Sequence, residues 1–137
     1  MAERVFVALG SNVGDRARNL FEACRMMAAL PRTVLVAAST VEDTAPIGPV
    51  AQGRFLNQMV LLETDLSPQD FLAHLLDIER VMGRERGERW GPRTMDLDIV
   101  RFGDRMVNEP GLTIPHPELP HRDFWRRELA ELRPHGR

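Results

Sequence analysis

Two aspartates one residue apart, Asp96-Leu97-Asp98, stand inside an apolar run that reads as a strand. Alternate residues of a strand point to one face, with Cα atoms about 6.5 Å apart. Two ionised carboxylates side by side repel, and a cation between or beside them relieves the repulsion. Hard divalent ions suit such oxygen ligands, and magnesium completes its shell with water and substrate phosphates. Leu97 and Ile99 turn to the opposite face and into a core. Taken alone, a D-x-D pair reads more plainly as two exposed acids on a solvent face.

The residues just before the strand change that balance. Arg84, Arg86, Arg89 and Arg93 crowd a polar stretch whose only acids are Glu85 and Glu88. Acids to hold metal, metal to bridge phosphate oxygens, and guanidinium forks to neutralise the rest make a site for several phosphates. Trp90-Gly91-Pro92, in the middle, offers a flat apolar face. A charged surface loop around a part-buried tryptophan is the bland alternative. Upstream, Thr44 to Gly48 and Phe55-Leu56-Asn57 combine backbone polar groups, an aromatic ring and an amide. There a heterocycle can stack on Phe55 while Asn57 reads its edge, although Phe55 serves equally well as core. His116 lies between Pro115 and Pro117, in extended, accessible backbone, where it donates to a phosphate or is an ordinary surface histidine.

These groups need a scaffold, and the pattern of the chain supplies one. Val5 to Leu9 reads as a strand closing on the breaker cluster 10–14, and Asp15 suits the N-cap of a helix over Arg16 to Leu30. Thr33 to Ser39 and Phe55 to Thr64 have strand character, while Ala45 to Pro49 cannot hold regular structure. Ser67-Pro68-Gln69-Asp70 is a strong helix start, and Gly83 ends that helix. Met95 to Phe102 forms the acidic strand, Gly103-Asp104 a turn, and Arg105 to Val107 a hairpin return. Prolines 110, 115, 117 and 120 keep the following stretch looped before a last helix from about Arg122 to Leu132. Strand, helix, strand, strand, helix, strand is the order of the ferredoxin-like βαββαβ unit. The fold class is α+β: an antiparallel-rich sheet in a three-layer αβα arrangement, with residues 1–137 as a single domain.

Composition removes other functions. The 137 residues carry 20 acidic and 18 basic side chains, a net charge of −2, which speaks against nucleic-acid or membrane-surface binding. All 18 basic residues are arginine, so neither a Walker-type phosphate lysine nor Schiff-base chemistry is available. Coding bias accounts for most of them. The single cysteine, Cys24, forbids an internal disulfide and reads as a buried, inert thiol. With no leader-like start and no long apolar run, the chain reads as a cytoplasmic protein.

Glu88-Arg89-Trp90-Gly91-Pro92-Arg93-Thr94-Met95-Asp96-Leu97-Asp98-Ile99 closely resembles the signature of the 6-hydroxymethyl-7,8-dihydropterin pyrophosphokinases of folate biosynthesis. Ala8-Leu9-Gly10-Ser11-Asn12, Thr44 to Gly48, Phe55 to Asn57 and Leu112 to Pro117 fall in the family's order, so the likeness runs from about Val5 to Phe124. The resemblance implies a ferredoxin-like fold and transfer of the β,γ-pyrophosphoryl unit of ATP to the pterin hydroxymethyl group, releasing AMP. It implies two magnesium ions on Asp96 and Asp98, and phosphate contacts from Arg84 and Arg93. Glu79, Arg86, Trp90, Ile99, Thr113, His116 and Arg122 fall on the nucleotide side. Thr44, Ala45, Ile47, Phe55, Asn57, Trp90 and Phe124 match the pterin pocket, with Phe55 and Phe124 about the ring. The implied partners are ATP as co-substrate and the hydroxymethyl dihydropterin, handled by a monomer.

The sequence departs from the family pattern at Leu76, Gly111 and Pro117, all toward the adenosine end, and stops soon after Pro134, where many members continue. Two other readings stand beside the enzyme: an idle module that binds nucleotide or pterin without transfer, and a ferredoxin-like regulatory domain. Formation of AMP, of ADP, or of neither separates them.

Overall fold

Val5 to Leu9 carry apolar side chains on both faces of a strand, which is the pattern of a strand covered from both sides. In the computed structural model, which describes residues 2–49, 52–83 and 94–134, that run is the middle of β1 (Glu3–Ser11). The chain continues through α1 (Arg16–Ala28), β2 (Thr33–Ala38), β3 (Glu42–Thr44), β4 (Phe55–Thr64), α2 (Pro68–Val81) and β5 (Asp96–Phe102). It ends with β6 (Val107–Glu109), β7 (Leu112–Ile114), a 3-10 turn (Leu119–His121) and α3 (Asp123–Leu132).

The local signals act as their chemistry requires. The carboxylate of Asp15 accepts the Arg18 amide at the start of α1, and the Ser67 hydroxyl accepts the Asp70 amide at the start of α2, with Pro68 at its first position. Gly83, at φ +82°, ends α2 in the left-handed conformation that a side chain would resist. The main sheet runs β2-β4-β1-β5, every neighbouring pair antiparallel, with β3 on the other half of long β4. That is the ferredoxin-like order, and β5 lies at an edge.

Two apolar clusters make three layers. Val5, Val7 and Leu9 of β1, with Leu97, Ile99 and Phe102 of β5, pack with Leu20, Ala23 and Met27 of α1 and Phe71, Leu75 and Ile78 of α2. On the other face Phe6, Ala8, Met59, Leu61 and Val100 pack with Trp125, Leu129 and Leu132 of α3. The register of β5 skips Val100 between Ile99 and Arg101, a bulge that lets Ile99 and Phe102 share one face while Val100 turns to α3. Among the described residues no helix is long and apolar enough to cross a membrane.

Two elements differ from the sequence reading. β3 is a polar three-residue strand with no pattern of its own; it exists because Glu42, Asp43 and Thr44 pair with Asn57, Leu56 and Phe55. The segment after β5 does not return along it. Arg105 instead pairs with Glu3, and Val107–Glu109 pairs forward with Leu112–Ile114 across Pro110-Gly111. A proline followed by a glycine at φ +79° is the pairing of a type II turn, so Gly111 has a local reason to be glycine.

Candidate functional site

The register of the sheet assembles the site. Asp98 stands opposite Ala8 and Asp96 opposite Gly10 on β1; across β1, Ala8 faces Met59 and Gly10 faces Asn57 on β4. The carboxylates of β5 and the amide of β4 therefore line the same face, two strand spacings or about 10 Å apart, with only small residues between them. Glycine at position 10 keeps this floor clear. A Cβ at this position would lie 3.1 Å from Asn57 Oδ1 and 3.4 Å from Phe55 Cδ1. Asn57 is buried to 7% exposure, and its Nδ2 donates to the Thr44 hydroxyl, which joins β4 to β3 and leaves Oδ1 over Gly10 as an acceptor. Phe55 lies half-buried beside it; Ala45 and Ile47 are exposed on the irregular segment after β3.

That segment is anchored on its return. Asn12 Nδ2 donates to Gln52 Oε1 at 2.6 Å and to the Gly53 carbonyl at 3.1 Å. Arg54 Nε meets Asp43 Oδ1 at 2.5 Å, and Arg16 donates to the Arg54 carbonyl at 2.9 Å. The return end of the pocket wall, residues 52–54, is thus held by polar contacts to Asn12, to the start of α1 and to β3.

Asp96 and Asp98 are half-exposed, while Leu97 and Ile99 between and beyond them are buried in the opposite cluster. The side chain of Ile99, assigned by resemblance to the nucleotide side, is a core group; only its main chain is left for a ligand. Glu79, in the last turn of α2 and 4% exposed, accepts the Leu97 amide at 2.7 Å. It therefore fixes the backbone between the two aspartates at the edge where, among the described residues, β5 has no strand neighbour. Two hard oxygen donors on one open face, standing over Ala8 and Gly10, suit a divalent cation with room for phosphate oxygens.

His116 follows the cis Ile114–Pro115 bond. Its main-chain N–H donates to the Val100 carbonyl at 3.0 Å, and its Nδ1 accepts the Glu118 amide at 3.0 Å. An accepting Nδ1 puts the proton of the neutral ring on Nε2, which lies 3.7 Å from Asp98 Oδ1. Arg122, at the N-cap of α3, lays its guanidinium over the ring of Trp125, 4.4 Å from Cζ to the centroid. His116 meets the same ring edge-on at 4.9 Å, and half-buried Phe124 stands beside it at 6.4 Å. Thr113 is exposed in the middle of β7. Arg84, Arg86, Trp90 and Arg93 lie outside the described residues.

Three features here escaped the sequence reading: Trp125, the Gly10 floor, and an acid pair behind the pocket wall. Trp125 stands three residues after Arg122, on the same helical face, which is the one signal for it. The acid pair joins α3 to β3. Glu128 is 2% exposed with no hydrogen-bond donor to either carboxyl oxygen, and Glu42 Oε1 also lacks one. Glu42 Oε2 accepts Arg127 Nε at 3.0 Å. Burial, and then the neighbouring Glu42 carboxyl, push Glu128 up to about 9, so at neutral pH it keeps a proton that it can offer to Glu42. Glu131 continues the seam by accepting the Thr40 amide at 2.9 Å and hydroxyl at 3.0 Å.

Known proteins resemble this chain in sequence and in fold. The sequence profile of the family described as 7,8-dihydro-6-hydroxymethylpterin-pyrophosphokinase matches residues 6–134. A 2-amino-4-hydroxy-6-hydroxymethyldihydropteridine pyrophosphokinase of Pseudomonas aeruginosa is 43% identical over 134 residues, covering 98% of this chain and 83% of the relative. The Bacillus subtilis protein of that name is 38% identical over 127 residues, covering 93% and 76%. The bifunctional protein FolKE of Lactococcus lactis is 34% identical over 95% of this chain, which spans 37% of that longer protein. A solved structure of an HPPK-DHPS protein in complex with substrates superposes with a TM-score of 0.68 at 12% identity, over 99% of this chain and 40% of the other; that likeness speaks for the fold.

Proposed function

The chain belongs to the 7,8-dihydro-6-hydroxymethylpterin-pyrophosphokinase family, and from that premise we propose how its residues divide the transfer of a pyrophosphoryl group from ATP to a hydroxymethyl dihydropterin in folate biosynthesis. The enzyme is a diphosphotransferase, with ATP as its co-substrate. The observation that carries the assignment of residues is the row Asp96–Gly10–Asn57, which sets a ring-reading amide across a bare strand from two carboxylates.

In this reading the pterin ring lies over Gly10. Asn57 Oδ1 accepts from its amino edge, Thr44 holds Asn57 in place, Phe55 and Phe124 flank the ring, and Ala45, Ile47 and Trp90 close the pocket. Asp96 and Asp98 are the residues to hold two magnesium ions. When bound, these neutralise and align the ATP phosphates. Arg84 and Arg93 grip the transferred group and the leaving phosphate, with Arg86, Thr113, Glu79 and the main chain of Ile99 on the nucleotide side. His116, with its proton on Nε2, and Arg122 donate to phosphate oxygens. The hydroxymethyl oxygen forms a bond to the β-phosphorus as the bond from that phosphorus to the AMP oxygen breaks. Asp98 takes the hydroxyl proton. Little acid–base chemistry is needed beyond this, because rate comes from positioning and from charge placed where charge develops. Residues 1–137 act as one domain and as a monomer, in the cytoplasm.

Incubation with ATP, magnesium and the hydroxymethyl dihydropterin yields AMP and the pterin diphosphate; ADP as product refutes the assignment. Asp98→Ala abolishes turnover while its unfolding temperature stays at the parent value, because Asp98 is half-exposed and outside both apolar clusters. Near-normal AMP formation by that variant shows that Asp98 does not carry the chemistry.

A further inference from the structure

Arg122 and His116 enter the site from different segments, one capping α3 and the other following a cis proline, yet both rest on one indole ring. The ring of Trp125 is 2% exposed and belongs to the apolar cluster of Phe6, Ala8, Met59 and Leu61. Ala8 stands opposite Asp98 in the sheet, so the ring is braced on the same strands that present the carboxylate. Its amide also donates to the Arg122 carbonyl at 3.1 Å, which fixes the cap and the ring in one turn.

The chemistry of the contact matters more than its area. A carboxylate can hold an arginine still, but it spends the positive charge that a phosphate needs. An aromatic face attracts the guanidinium through its quadrupole and leaves the charge whole. Arg122 is held in this second way. Its Nε is buried without a hydrogen-bond partner, and no carboxylate among the described residues pairs with it. The same ring, met edge-on by His116, limits rotation of an imidazole whose other restraints are the Val100 carbonyl and the Glu118 amide. From this geometry we infer that Trp125 is a positioning residue for the nucleotide, holding Arg122 and His116 toward the ATP phosphates while keeping the arginine's charge free for them. The inference rests on the assignment of Arg122 and His116 to the nucleotide side.

Steady-state AMP formation by the full chain, with ATP varied at saturating pterin and pterin varied at saturating ATP, tests it in the parent, Trp125→Leu and Trp125→Phe proteins. Trp125→Leu raises KM for ATP by about tenfold, the scale of a lost desolvated cation–π contact, and leaves KM for the pterin within about twofold. Trp125→Phe, which keeps a ring face, recovers most of that loss. A merely structural tryptophan gives the other pattern: lower kcat or unfolding temperature, an unchanged KM for ATP, and no advantage of Phe over Leu. That pattern overturns the inference. A parent protein that makes no AMP instead overturns the pyrophosphokinase reading on which it stands. Should Trp125→Leu not fold, Trp125→Phe and Arg122→Gln, alone and combined, decide the matter. Losses in ATP affinity that are less than additive support the coupling, and additive losses refute it.

Discussion

Glu128, buried where α3 meets β3, makes stability depend on pH in a direction opposite to that of most carboxylates. Glu128 is held near 9 in the folded chain against an ordinary value of 4.5. Between those limits the native state keeps a proton that the unfolded chain has released, so stability is fully present below about pH 4.5 and drains away as pH climbs toward 9. Each pH unit within that window costs about 1.4 kcal/mol, or about 3 kcal/mol between pH 6 and pH 8. For a domain of this size that corresponds to a fall of roughly 10 °C in unfolding temperature. Replacement of Glu128 by glutamine tests the origin of the effect. The amide donates a hydrogen bond to Glu42 Oε1 at any pH, with no proton to lose, and it occupies the same volume. Thermal unfolding followed by circular dichroism from pH 5.5 to 9.5 is the assay, read as the difference between the two proteins so that other titrating groups cancel. Glu128→Gln stays flat where the parent declines, so the gap between the two widens by about 10 °C from pH 6 to pH 8. Parallel pH profiles for parent and variant refute the shared proton.

Gly10→Ala sets a methyl group 3.1 Å from Asn57 Oδ1 and 3.4 Å from Phe55, on the floor of the proposed pterin pocket. KM for the pterin rises by tenfold or more while KM for ATP holds; equal changes in both locate the damage elsewhere. Phe71→Ala empties a fully buried position of α2 that meets Phe102 edge-on at 5.9 Å. Chemical denaturation registers a loss of about 3–5 kcal/mol with both KM values unchanged, and a loss below about 1 kcal/mol shows that this layer repacks freely.

Much of this was legible in the residues. Phe55 to Thr64 forms a strand over those very residues, because its pattern of burial follows from covered faces, and Ser67-Pro68-Gln69-Asp70 starts its helix because three local preferences agree. The D-L-D alternation told which side chains face out and which face in, since the period of a strand leaves no other choice. What stayed hidden was long-range. Glu42-Asp43-Thr44 carries no apolar signal and becomes a strand only where Asn57 to Phe55 offer free backbone groups. Nothing in the sequence sets Glu128 apart from the other acids of the last helix; its burial comes only when α3 docks on β3 and meets Glu42. Trp125 carries no sequence signal beyond its spacing from Arg122; its contacts with Arg122 and His116 need a turn and a cis bond to bring both to its ring. Gly111, a departure when set against the family, follows from a two-residue turn after Pro110.

The carboxylate on Leu97 has a consequence for how the protein stays in solution. Among the described residues β5 is the rim of the sheet, and a rim amide is an invitation for a passing strand to dock. Glu79 accepts that amide from within the same chain, so an approaching backbone meets a donor that is already occupied. One side chain from α2 thus guards the strand that carries Asp96 and Asp98 against pairing with a stranger, while leaving the face those aspartates share open to small molecules.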